Sequence, residues 1–133
     1  MRLAPVLLSV SLLAAPAAGL SAELQFSPDY QRCLASPSGQ GSSGVVVGVI
    51  ECANAELKVQ DARLNRAYRD ALQRRTQPRQ RVALQKAQRA WIAFRDADFA
   101  SRYDPDWGSM TRVDEVACRL DHTARRADAL ETR

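Results

Sequence analysis

One histidine, three cysteines and a short run of aspartates are the residues in this sequence with the chemistry for a reaction or a metal. His122 is the only histidine. A Ser-His-Asp device would rest on that single ring, and a zinc site would have to draw on cysteines that look committed elsewhere. Its helical spacing from Arg119 and Arg125 puts it on a solvated face, so it reads as a surface histidine. Asp96, Asp98, Asp104 and Asp106 form the densest acidic cluster, the raw material of a glycosidase pair or a calcium loop. The calcium pattern of alternating acids, then Gly and a distal Glu, is absent, and carboxylates near a turn commonly serve as caps and ion-pair partners. Cys118 has no Cys-x-x-Cys or nearby partner to tune it and reads as a buried or leftover thiol. The glycines are not followed by Lys-Ser or Lys-Thr, so no phosphate loop exists. No catalytic residue, cofactor or metal ligand is expected, and the chain reads as a non-enzyme.

The compartment decides how the cysteines behave. Residues 3–20, LAPVLLSVSLLAAPAAGL, form an apolar run behind Arg2, followed by the small residues Ser21 and Ala22. This is the layout of a secretory signal peptide. Pro5, Pro16 and Gly19 interrupt the run, which argues against a retained membrane span. Residues 1–22 are therefore expected to be removed, leaving a soluble periplasmic or secreted chain without a transmembrane segment. In an oxidising compartment disulfides persist. Cys33, Cys52 and Cys118 allow one bridge within a monomer, with three possible pairings. The flexible ASPSGQGSSG stretch makes Cys33 with Cys52 the preferred pair.

Three helices account for most of the rest, in a chain whose 133 residues suit one domain. In the first, Ile50, Ala53, Leu57, Leu64, Tyr68 and Ala71 recur at helical spacing. Pro78 breaks the pattern and is well placed to open a second helix, which carries Leu84, Ala87, Trp91 and Phe94 on one stripe, with Val82 and Ile92 beside it, and runs to about Tyr103. Pro105 and Gly108 stop it. Thr111 and Asp114 resemble a capping box for a third helix, whose buried face is Val113, Ala117, Leu120, Ala124, Ala127 and Leu130. Short connections predict an all-α fold, a small antiparallel three-helix core over residues 49–133. Residues 23–48 read as an N-terminal, disulfide-linked, Gly/Ser-rich extension containing Cys33. Within it and just beyond, GVVVGVI at residues 44–50 is β-branched but has no strand to pair with, so it reads as an extended or partly helical lead-in. Trp91 and Phe94 are expected in the core, and Arg95 is expected to reach Asp61 or Glu51 on the first helix.

The balance of 19 basic against 15 acidic residues gives a formal +4, modestly reduced by loss of Arg2. Arg74, Arg75, Arg79 and Arg81 surround the first interhelical turn; arginines there usually form a solvated rim that favours the negative end of the preceding helix, and the second reading is a patch for phosphate-bearing lipid, acidic glycan or nucleic acid. Aromatic interleaving for nucleic acid is missing there, and no specific nucleic-acid partner is expected.

Leu64-Asn65-x-x-Tyr68, then AQRAWIAFRDAD at residues 87–98, then Gly108-Ser109-Met110, then Cys118 with Thr123, Arg126 and Leu130 resemble the lysozyme-inhibitor LprI-like N-terminal domain over about residues 30–131. The resemblance implies an exported, mostly helical, cysteine-bearing domain and a lysozyme or another envelope protein as partner. It marks Leu64, Asn65, Tyr68, Trp91, Phe94, Arg95 and Asp96 as signature residues with structural roles. Family members commonly carry a cysteine where this chain has Phe99, so the resemblance leaves Cys118 without its partner. The Gly/Ser/Val segment between Cys33 and Cys52 looks like an insertion. The expected function is an exported binding or inhibitory module acting on a lysozyme-type glycosidase. The alternative is a structural or stress-related envelope protein that meets anionic lipid or glycan through its arginines.

Overall fold

The computed structural model describes residues 24–36 and 44–132, so the leader expected over residues 1–22 lies outside the described residues. Among the described residues four helices follow one another, α1 (Pro28–Ala35), α2 (Val45–Arg74), α3 (Pro78–Ser101) and α4 (Ser109–Glu131), with a 3₁₀ turn, Pro105–Trp107, before the last. Among the described residues the chain is all-helical, and Cys33 is bonded to Cys52. No described helix is long and apolar enough to cross a membrane.

At 30 residues, α2 is the longest element, about 45 Å at the α-helical rise. The GVVVGVI lead-in is fully helical from Val45 on and simply extends α2 at its N-terminus. The buried positions Gly48, Cys52, Glu56, Gln60, Leu64, Ala67 and Ala71 of α2 recur every three or four residues, with Ala53 beside them, which makes one continuous stripe. The matching stripe on α4 is Val116, Leu120, Thr123, Ala124, Ala127 and Leu130. Ala117, expected inside, is exposed, and Val116 and Cys118 take up the buried positions instead. Many of the facing residues are alanines, so the two backbones approach closely. Ala53 packs with Val116 and Leu120, whereas Leu64, Ala67 and Ala71 pack with Ala127 and Leu130. Residue numbers rise together along the contact, which means α2 and α4 run parallel. Arg63 fastens the pair from the side, bonding Asp128 and Glu131 at once, with its Nε 2.9 Å from Glu131.

Between them in sequence, α3 buries only Leu84 and Phe99 fully. Its inward positions are Leu84, Gln88, Trp91, Arg95, Asp98 and Phe99. That seam is rotated from the expected apolar stripe. Ala87 is exposed, and Phe94, expected in the core, is 55% exposed. The reason is chemical: α3 meets α4 through polar and aromatic groups, so Gln88, Arg95 and Asp98 occupy places that an apolar pattern would not assign. Arg126 bonds Gln88 at 2.9 Å, and Asp98 bonds His122 at 2.9 Å. Arg95 does not reach α2. It stacks over Trp91 and Phe99 and pairs with its neighbour Asp96.

The N-terminal extension contributes α1, opened by Ser27, whose hydroxyl caps Tyr30 N–H, and by Pro28 at the first turn. Eight residues cannot hold a helix alone in water. The Cys33–Cys52 bridge, the Phe26–Tyr30 ring pair and a buried polar node hold it to α2. In that node Glu56 accepts from Ser27 N–H at 2.9 Å, from the Ser27 hydroxyl and from Gln60 at 2.7 Å, while Gln60 also donates to the Gln25 carbonyl. At the other end of the chain, Gly108 turns from the 3₁₀ segment into α4 at φ +57°, a conformation side chains disfavour. Because α4 begins at Ser109, Thr111 lies within its first turn. Its hydroxyl bonds the Asp104 carbonyl in place of forming a capping box.

Candidate functional site

Two features concentrate chemistry, and both lie at the α3–α4 end of the fold. The first joins residues that sequence spacing left apart. Cys118 and His122 stand one turn apart on α4, so their side chains share a face, and Asp98 reaches them from α3. One carboxylate oxygen, Oδ2 of Asp98, accepts from His122 Nε2 at 2.9 Å, from the Cys118 thiol at 3.3 Å and from Arg102 Nε at 3.3 Å. The rings of Phe94 and Phe99 meet the imidazole edge-on, with centroids 5.4 and 6.0 Å away. His122 is thus half-buried and partnered, a correction to its reading as a surface residue.

The electrostatics follow from this geometry. Hydrogen bonds from His122 and Cys118, with the nearby Arg102 charge, hold the Asp98 carboxyl below the usual aspartate range, against a smaller effect of burial. Burial and the hydrogen bond to Asp98 push the Cys118 thiol up to about 11. A cysteine nucleophile needs the opposite, a stabilised thiolate with a histidine between it and the carboxylate. Here the carboxylate sits between thiol and imidazole. The arrangement is not poised for acyl transfer, but it presents one sulfur, one nitrogen and one oxygen within 4.8 Å of one another.

The second feature is the turn that follows α3. Tyr103 and Trp107 are 67% and 65% exposed, and Met110 is exposed beside them. Asp104 caps the 3₁₀ turn by accepting from Asp106 N–H at 2.9 Å, which leaves the Asp106 carboxylate facing solvent. A shallow groove continues from this turn between α3 and α4, lined by Asp96, Phe99, Tyr103, Glu115 and Arg119. The basic rim at the opposite turn is partly spent on helix ends: Arg74 donates to the Leu130 carbonyl, Arg75 to that of Ala71 and Arg81 to that of Leu72.

Of the signature residues, Leu64 is buried, Tyr68 and Trp91 pack partly buried against the same core, and Arg95 is half-buried over Trp91. Asn65, Phe94 and Asp96 are exposed. The pairing of Cys33 with Cys52 leaves Cys118 as the free, buried cysteine. What spacing could have revealed is the Cys-x₃-His register on α4. The Asp98 partner has no linear signal.

The described residues thus form a disulfide-stapled helical module with exposed aromatic and acidic side chains on the turn after α3. The chain belongs to the lysozyme inhibitor LprI family, which it matches over residues 37–130. No curated protein and no solved structure matches it.

Proposed function

We propose that this chain is an exported, non-catalytic module that inhibits a lysozyme-type glycosidase, docking through the turn between α3 and α4. Membership of the LprI family carries the proposal. The turn supports it, because exposed Tyr103, Trp107 and Met110 supply the aromatic and thioether groups enriched at interface centres. The positive net charge of the chain gives no long-range steering toward a basic enzyme, so the exposed carboxylates of Asp96 and Asp106 must supply the local complementarity. The proposal includes removal of residues 1–22 and the architecture expected from sequence, with α2, α3 and α4 sharing one core. Antiparallel packing of α3 on α4 is supported by the Gln88–Arg126 and Asp98–His122 contacts.

Titrating the mature chain into lysozyme acting on a peptidoglycan suspension tests this. Activity should fall saturably, reaching completion near equal molar amounts, and Trp107→Ala or Asp106→Lys should relieve the inhibition while leaving the melting curve unchanged. Full lysozyme activity in large molar excess of folded protein would refute it. Binding to anionic vesicles that is lost on Arg79→Ala and falls steeply with salt would point instead to the envelope role of the arginine rim.

A further inference from the structure

The Asp98–Cys118–His122 cluster brings a carboxylate oxygen, a thiol sulfur and an imidazole nitrogen within 4.8 Å of one another. We infer that these three side chains bind a divalent transition-metal ion of the zinc class, with a fourth coordination position open to solvent. Sulfur, imidazole nitrogen and a single carboxylate oxygen form a borderline-soft set, which favours zinc or cobalt over calcium or magnesium. Tetrahedral zinc, with bonds of about 2.0–2.3 Å, separates its nitrogen and oxygen ligands by about 3.3 Å and its sulfur from either by about 3.6 Å. Asp98 Oδ2 stands 2.9 Å from His122 Nε2 and 3.3 Å from Cys118 Sγ. Opening the cluster by a few tenths of an ångström at those two contacts makes room for the ion.

The scaffold already holds these groups in place. One turn of α4 fixes Cys118 against His122, and the Arg102 bond steadies the Asp98 carboxylate from its own helix. Phe94 and Phe99 restrict the imidazole ring. The side chains of His122 and Asp98 keep 21% and 25% of their surface exposed, which leaves an entry path and a place for a water ligand. On binding, the Cys118 thiol releases its proton to solvent and becomes a thiolate ligand. His122 gives up its Nε2 proton to solvent and holds one on Nδ1 instead, so the neutral ring ligates through Nε2, and Asp98 exchanges the two hydrogen bonds from His122 and Cys118 for one coordinate bond. One thiolate and one carboxylate then balance the two charges of the ion. Because Cys33 and Cys52 are bonded to each other, a thiolate ligand in a monomer must come from Cys118.

The test uses the mature, disulfide-bonded chain without a histidine tag, titrated with cobalt(II) alone and then with zinc. We expect intense visible ligand-field bands of four-coordinate cobalt and a thiolate-to-cobalt charge-transfer band in the near ultraviolet, saturating at one ion per chain and abolished by zinc. Cys118→Ser should remove the charge-transfer band. His122→Gln and Asp98→Asn should each weaken binding by roughly tenfold or more. Metal-free melting curves confirm that the variants fold. A wild-type chain that shows no charge-transfer band overturns the assignment even if every variant fails to fold. So does a folded Cys118→Ser chain that binds cobalt with unchanged affinity and spectrum.

Discussion

Trp91 links α3 to the rest of the molecule, since its ring packs on the Leu64–Ala67–Ala71–Leu130 cluster while Arg95 and Arg126 lie over its faces at 5.1 and 5.8 Å. Truncating a fully buried tryptophan costs about 3–5 kcal/mol; for this half-buried ring we expect about 2–3 kcal/mol from Trp91→Ala. Phe94→Ala, three residues on, should cost only about 1 kcal/mol or less, because it leaves a largely exposed position and gives up chiefly the edge contact with His122. Chemical denaturation of both variants distinguishes the observed register of α3 from the apolar one. Glu56 presents the opposite case, a fully buried carboxylate whose value lies in the donors it satisfies. Replacing it with Ala strands the Ser27 and Gln60 groups and should cost about 1–3 kcal/mol, with Glu56→Gln falling between the variant and the native chain in the same measurement. Residues such as Leu64 and Ala71 were legible from spacing alone. His122 was not, because Arg119 and Arg125 on its own helix signal solvent, and only the approach of α3 reveals Asp98.

At the scale of elements, α1 depends on its fastening. The Cys33–Cys52 bridge spans 19 residues of sequence, and closing a loop of that length stabilises by roughly 3 kcal/mol in the chain-entropy estimate. Reduction should lower the melting temperature and expose the amides of residues 29–35 to rapid hydrogen exchange, while α2 and α4 keep their protection. Arg63 joins the middle of α2 to the end of α4, and the hydrogen bonds it donates to Glu131 and Asp128 raise its already high pKa against the effect of burial. A double-mutant cycle between Arg63→Ala and Asp128→Asn should return a coupling of about 1 kcal/mol that shrinks as salt is added. The sequence made the three long helices legible because their apolar periods and the breakers Pro78, Pro105 and Gly108 are local signals. It concealed α1, whose apolar contacts and disulfide lie on another element. It also misaligned α3, whose inner positions Gln88, Arg95 and Asp98 carry no apolar mark.

For the whole molecule, the two turns divide the work: the one before α3 gathers arginines that bond helix-end carbonyls, and the one after it gathers exposed aromatics and carboxylates. If export proceeds as proposed, exported protein should begin between residues 20 and 23, which intact mass determines; a chain retaining Leu7 to Leu13 would exclude it. The parallel course of α2 and α4 has a kinetic consequence. Their contacts join residues as far as 68 apart, as in the Arg63–Glu131 pair, a separation larger than antiparallel neighbours joined by a short turn would need. Entropy of closing so long a loop must be spent before the alanine-rich seam can form, so folding should be slower than for helical bundles rich in local contacts. Until that seam forms, α3 has little to dock on. Substitutions along α3 should therefore accelerate unfolding while barely altering the folding rate, whereas Ala71 and Ala127 variants should slow folding itself.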